Sequence, residues 1–386
     1  MPAGGLSAAV KGASMNKDAL NAIIDRVNDK LMNLGLPEIE EGLDLETILA
    51  KGLNIRDFGI EEWDWPQGVG LYGLTQLQAA RGNTQYDEFL KGWIENNLKI
   101  GLPSRNINTT APYLAVLDYV SRHDVPEWEA LCKEHADWLV NDLPKTIDGG
   151  FQHVTSAIGD RNGVMLNDGQ IWADTLFMAV LFLGRMGVRY NNPVWTEESI
   201  HQFLVHIEYL YEREKGLFYH GWTFHGCNNF GRIFWCRGNS WFTYGAIAWL
   251  ASLGDAVPSF ARRFVLDAWR HQVDALAALQ DESGLWHTVL DDPTSYVETS
   301  GTAAIAAGIL LGIRSGILPK EYEAMGRKAI DGILANIAED GTVLQVSAGT
   351  AMGMNADHYK HISIMPMAYG QSLTSLALTE ALYLED

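Results

Sequence analysis

Two kinds of helical segment alternate along this chain. One kind is rich in Gly, Ala, Leu and aromatic residues and almost free of charge, over 68–80, 110–120, 171–183, 241–253, 300–313 and 367–382. The other is amphipathic, as over 18–27 and 321–329. A segment apolar on every side is buried all round, whereas an amphipathic one covers a core from outside. The periodicity predicts about twelve helices, near 17–33, 67–82, 85–100, 110–122, 127–143, 171–187, 196–213, 240–254, 259–281, 299–314, 319–338 and 367–384, and no convincing series of alternating strands. An inner ring of buried helices alternating with an outer amphipathic ring is the sequence pattern of an all-α (α/α)6 barrel, a six-hairpin toroid. The expected organisation is a single barrel domain over residues 17–386, preceded by a disordered extension over 1–16.

The segments leading into the inner helices are long, polar and aromatic: 60–67, 104–109, 149–156, 216–222, 285–288 and 349–363. All enter an inner helix from the same side, so they converge on one mouth of the toroid, the expected site. Trp63, Trp65, Trp172, Trp222, Trp235, Trp241 and Trp286 fall in or beside them. Flat aromatic faces there suit sugar rings, whose C–H faces are apolar while their hydroxyls seek polar partners. Ordinary packing under loops accounts for several of these tryptophans.

Length alone, at 386 residues, allows two average domains or one toroid. The net charge of −20 and the lack of any Lys/Arg run argue against nucleic acid or an anionic membrane as partner. No apolar stretch reaches the length of a membrane span. Three cysteines, Cys132, Cys227 and Cys236, are too few and odd in number for a disulfide framework, which points to a reducing, cytoplasmic compartment. The first 14 residues are small and Gly/Ala-rich without a signal-peptide core, and read as an extension or a leader ahead of Met15.

Within the third apolar segment, Asp174 is the one ionisable side chain between Ile171 and Leu183. Burial raises a carboxyl pKa and a helix N-terminus lowers it, so a group placed between those influences suits general acid/base work. Asp168 is the expected N-cap, which puts Asp174 in about the second turn. A structural Asp that caps a neighbouring helix or pairs with an Arg is the competing reading. Arg237 lies between Trp235 and Trp241 at a helix entrance, where Asn239 or Ser240 is the expected cap, and its planar fork suits a bidentate carboxylate clamp. An Arg that ties loops together is its alternative. His220, in an aromatic setting, either donates to a ligand, orients a carboxylate, or is a satisfied core residue. His220, His225, Cys227 and Cys236 match no paired metal-ligand spacing, so no metal and no cofactor is expected. Phosphate-cradle, dinucleotide and nucleophile-elbow motifs are absent.

Five motifs carry a family resemblance. They are the run from Asp168 through Asp174 to Ala179, Tyr219-His220-Gly221-Trp222, the run from Trp235 through Arg237 to Trp241, Glu298-Thr299-Ser300-Gly301-Thr302, and Pro366-Met367-Ala368-Tyr369-Gly370-Gln371. In this order the chain resembles the unsaturated glucuronyl and rhamnogalacturonyl hydrolases, from about residue 63 to 381. The resemblance implies an (α/α)6 barrel and removal of a 4,5-unsaturated uronic acid from the non-reducing end of lyase-generated oligosaccharides. It makes Asp174 the catalytic acid/base and His220, Trp235, Arg237 and Trp241 substrate contacts. Trp65, Asn108 and His153 in the mouth segments are further candidate substrate-binding residues. Ala173 and the stretch from Ser104 to Asn108 depart from relatives that carry acids there, and Arg105 is expected to change the charge beside the uronate. Two other functions compete: an inverting glycosidase with a second carboxylate at Asp64, Glu298 or Asp357, and a sugar-binding relative without catalysis. The expected state is a monomer or homodimer whose partner is the unsaturated uronyl oligosaccharide.

Overall fold

The computed structural model describes residues 16–35, 59–156 and 160–384, so the expected N-terminal extension lies outside them as far as residue 15. Six inner helices form the ring: α2 (Trp65–Arg81), α5 (Tyr113–Val120), α7 (Leu181–Arg189), α9 (Cys236–Leu253), α11 (Thr299–Arg314) and α14 (Ala368–Leu382). Each contacts the next, and α14 returns to α2, so the ring closes. The outer helices α1 (Lys17–Met32), α3 (Asp87–Ile100), α6 (Pro126–Asn141), α8 (Pro193–Leu210), α10 (Ser259–Leu279) and α12 (Glu323–Leu334) pack against it. The (α/α)6 barrel expected from the hydrophobic pattern is therefore the fold. Two short helices, α4 (Ile107–Thr110) and α13 (Ala356–Lys360), lie in mouth segments.

The small residues of the inner ring have a packing reason. A Cβ at Gly308 would stand 2.6 Å from the Thr243 carbonyl oxygen, and one at Gly73 would stand 2.4 Å from Ser372 Oγ. Inner helices thus approach through glycine, and a methyl group at Gly308, set against the Thr243 backbone, would force them apart.

Strands are confined, among the described residues, to four two-stranded antiparallel ribbons. One of them corrects the expected start of the third inner helix. Gln170–Trp172 pairs with Gly221–Thr223 instead of coiling, and the chain enters α7 through a π-helical turn, Leu176–Val180. Asp168 is not the cap; it sits exposed in the preceding turn, 2.9 Å from His225. The fourth inner helix begins at Cys236 rather than at 240, because Asn239 does not cap it. The Asn239 amide instead exchanges bonds with the Phe218 backbone and tethers the first turn of α9 to that strand.

Candidate active site

The ribbon that displaces the helix start also builds the site. Its ladder continues one step, with Ala173 N–H donating to the His220 carbonyl at 2.9 Å, and this sets Asp174 beside His220. The Asp174 carbonyl then accepts from Phe177 and Met178, so the residue stands at the entrance of the helical run and not in its second turn. There the positive end of the helix dipole acts on it most strongly.

Asp174 opens onto a pocket of about 250 Å³ lined by Trp65, Asn108, His153, Val154, Thr155, Ser156, Trp172, Met178, Trp235, Arg237 and the backbone run Gly349-Thr350-Ala351. Ligand pockets generally start near about 300 Å³, so this one fits a single sugar ring with the rest of a chain outside. Asp174 keeps 15% of its side-chain surface open. Its Oδ1 accepts from the Trp241 indole at 3.0 Å, and its Oδ2 faces His220 Nε2 at 3.4 Å. Burial pushes the carboxyl up, but His220, through its N–H and through its charge when protonated at the acid pH where a carboxyl titrates, outweighs it with smaller help from the His153 and Arg237 charges, and Asp174 is held below the usual carboxylate range. In the free protein it is therefore an anion at neutral pH.

His153 stacks on Trp172 at 4.4 Å and bonds Thr175 Oγ1 through Nδ1. Burial pushes its pKa down to about 4, so it enters the pocket as a neutral ring. Trp65 stacks on Tyr369 at 4.7 Å and meets Trp241 edge-on. Trp65, Trp172 and Trp235 face the pocket. Trp63 and Trp286 are packing residues, their indoles bonded to the Thr109 and Leu276 carbonyls. His220 and Trp241 stand behind Asp174 and act on it directly.

Arg237 differs from its expectation. It is fully buried, with its guanidinium against the rings of Trp235 at 4.5 Å and Tyr369 at 4.7 Å. Nη1 donates to the Ser347 carbonyl at 2.8 Å, to Ser347 Oγ and to Ser300 Oγ, and Nη2 donates to the Ala348 carbonyl at 2.8 Å. Both terminal nitrogens are engaged, which removes the end-on face of the fork as a clamp for a substrate carboxylate, while Nε has no hydrogen-bond partner among the described residues. It anchors the start of the 347–363 segment, whose next residues line the pocket.

Arg105 needs a similar correction. It lies at the surface, 3.4 Å from Glu134, and contributes no charge to the pocket lining. The residue of that stretch which reaches the pocket is Asn108, held by the Asn106 cap of α4 and donating to Ser156 Oγ at 3.3 Å. Ser156, which the sequence flagged only as part of a mouth segment, passes the chain of bonds on to Asp64. The carboxylates considered for a two-acid mechanism are placed elsewhere. Asp64 is the buried N-cap of α2, Glu298 is the buried N-cap of α11, and Asp357 is exposed on α13. Among the described residues, Asp174 is the one acid that lines the pocket.

No group of three or more His, Cys, Asp or Glu side chains is placed, among the described residues, to hold a metal ion. Exhaustive chelation is accordingly expected to leave turnover unchanged; a loss restored specifically by zinc would contradict this.

Comparison with known proteins follows the same direction. The family described as Glycosyl Hydrolase Family 88 matches residues 54–384. An unsaturated rhamnogalacturonyl hydrolase, YesR of Bacillus subtilis, is 36% identical over 321 residues, covering 82% of this chain and 89% of that protein. The crystal structure of a possible member of the GH105 family from Salmonella enterica superposes with a TM-score of 0.87 at 36% identity, covering 97% of this chain and 96% of the other. The unsaturated glucuronyl hydrolase of Bacillus sp. GL1 shares the fold at 18% identity, with a TM-score of 0.67 over 93% of this chain and 96% of its own.

Proposed function

The chain belongs to glycosyl hydrolase family 88, and from that premise we propose that it removes a 4,5-unsaturated uronic acid from the non-reducing end of oligosaccharides produced by polysaccharide lyases. The observation that carries this reading is the pocket itself: one sugar-sized space, aromatic walls and, among the described residues, a single carboxylate. Ordinary glycoside hydrolysis needs two carboxylates flanking the scissile bond. Hydration of an enol ether needs one group that gives a proton and then takes one back. The likeness to the rhamnogalacturonyl hydrolase supports a pectin-type substrate with a rhamnogalacturonan backbone. Three free cysteines support a cytosolic setting, and no helix of the described residues is long and apolar enough to cross a membrane.

In the proposed reaction, Asp174 in its acid form protonates C4 of the C4=C5 bond, and positive charge develops on C5 and the ring oxygen. Water adds to C5 and returns a proton to the Asp174 carboxylate. The C5 hemiketal opens to a 5-keto group, leaving a hemiacetal at C1 that expels the remaining sugar as an alcohol. The Trp241 and His220 N–H groups stabilise the carboxylate that exists between the two proton transfers, without reorganising. His153, Asn108, Ser156 and Thr350 offer neutral polar partners for the sugar hydroxyls, and the flat faces of Trp65, Trp172 and Trp235 take its C–H faces. Incubation with an unsaturated uronyl disaccharide tests the proposal: the ultraviolet band of the double bond should disappear in step with release of the second sugar.

The electrostatics add a pH prediction. Asp174 is ionised in the free protein at neutral pH, yet the reaction starts from its acid form. A bound uronate beside it is a like charge and excludes water, and both raise its pKa in the complex. The ratio kcat/KM reports the free enzyme, so it should fall by about tenfold per pH unit across neutrality, while kcat, which reports the complex, stays level further into the alkaline range. Steady-state rates at a series of pH values check this. A kcat/KM that stays flat from about pH 5.5 to 7.5 would contradict the assignment.

A further inference from the structure

Tyr359 stands on the short helix α13, within the 349–363 segment, and is fully buried against Trp235, Val289 and the His220 ring. Its hydroxyl makes three contacts. It accepts from the Gly353 backbone N–H at 3.0 Å, lies 2.6 Å from His220 Nδ1, and lies 3.8 Å from the Met352 sulfur. The Gly353 bond uses one hydroxyl lone pair and leaves the hydroxyl proton to find an acceptor. Of the two within reach, an imidazole nitrogen at 2.6 Å is much stronger than a thioether at 3.8 Å. The O–H therefore donates to Nδ1, so Nδ1 carries no proton, and a neutral imidazole must then carry its proton on Nε2. That nitrogen faces Asp174 Oδ2 at 3.4 Å, a contact longer than an ordinary N–H···O hydrogen bond, and neither atom has another hydrogen-bond partner among the described residues. The opposite tautomer would set an Nε2 lone pair against a carboxylate oxygen.

We propose that Tyr359 is a positioning residue that locks His220 in its Nε2–H tautomer, so that the imidazole always presents a donor to Asp174. The chain of donors runs from the Gly353 amide through the Tyr359 hydroxyl and the His220 ring to the carboxylate. It couples the seating of the 349–363 segment to the protonation chemistry of Asp174. Arg237 pins the residues just before that segment, at Ser347 and Ala348, and Tyr359 seats it a second time, directly on the histidine. Removing the hydroxyl frees the ring to place its proton on either nitrogen, and the catalytic carboxylate keeps the Trp241 indole but loses the His220 donor for part of the time. Such a loss falls on the step in which Asp174 changes charge and not on ground-state binding of the sugar. The proposal rests on the reading of Asp174 as the acid/base, but the tautomer can be measured without any substrate.

The test is nitrogen-15 NMR of the histidine-labelled full chain, with the His220 signals assigned by their disappearance in His220→Gln, together with steady-state kinetics of Tyr359→Phe. Wild-type protein should show His220 protonated on Nε2 alone. In Tyr359→Phe that signature should shift toward a mixture of tautomers, and kcat should fall by about ten- to hundredfold while KM stays within about twofold. A His220 protonated on Nδ1, or on both nitrogens, in the wild-type protein overturns the proposal even if the variant does not fold. So does a Tyr359→Phe protein with the wild-type signature and wild-type kcat. Absence of activity on unsaturated disaccharides, by contrast, would sink the functional reading and leave the tautomer result standing.

Discussion

Asp174→Asn is expected to fold as the wild type does and to lose turnover of an unsaturated disaccharide by at least about a thousandfold. The reason lies in the inventory of the pocket. Asp174 is the one lining acid among the described residues, and no second carboxylate stands ready to take over the proton. Asparagine keeps the size of the side chain and the acceptor that Trp241 needs, so the packing beneath the pocket survives. It can neither give nor take the proton. Thermal unfolding checks the first half of this prediction and the ultraviolet assay the second. Wild-type-like turnover by the folded variant would move the catalytic role to another residue.

Arg237→Ala is expected to damage both stability and activity. Its Nη2 is the donor to the buried Ala348 carbonyl, while the Ser347 carbonyl keeps the Tyr369 hydroxyl as a second donor, so one buried acceptor is left without a partner at a cost of about 1–3 kcal/mol. A destabilisation of about 1–3 kcal/mol follows, together with a loosened 347–363 segment and a loss of kcat/KM on the order of a hundredfold or more. Lys should recover only part of either quantity, because one ammonium cannot reach both carbonyls in the geometry of the planar fork. The informative control is a substrate whose uronate carboxylate is esterified. The loss should be the same on ester and acid if Arg237 acts by holding the segment. A loss confined to the acid would restore the carboxylate clamp expected from the sequence.

Arg237 also marks where sequence reading stops. Its planar fork and tryptophan neighbours are visible in the chain, but its partners are backbone carbonyls more than a hundred positions away, and a carbonyl has no sequence signature. Tyr359 was hidden for the same reason: a single tyrosine in a polar segment gives no sign that it meets His220. The inner ring, by contrast, was legible throughout, because helices apolar on every side can only be central. Asp174 was legible as the lone charge in such a helix, although its setting was not. The residues from Gln170 to Trp172 carry no helix-breaking signal, and their pairing with Gly221–Thr223 depends on a strand about fifty positions on. That pairing moves Asp174 to the helix entrance and against His220, which turns an expected compromise pKa into a depressed one. Arg105 misled because charge is easy to read along a sequence and side-chain direction is not. The capping box at Asn106 turns Asn108 inward and leaves Arg105 at the surface.

The central claim is that one carboxylate hydrates a double bond, and that no pair of acids cleaves a glycosidic link. A matched pair of disaccharides, one with a 4,5-unsaturated uronate at its non-reducing end and the other with the saturated uronate, tests this most directly. The wild-type protein should release the second sugar from the unsaturated compound as its ultraviolet band decays, and should act on the saturated one at least about a thousandfold more slowly, since the saturated ring offers Asp174 no carbon to protonate. Release of sugar from both at comparable rates would contradict the account and require a second acid at the mouth of the toroid.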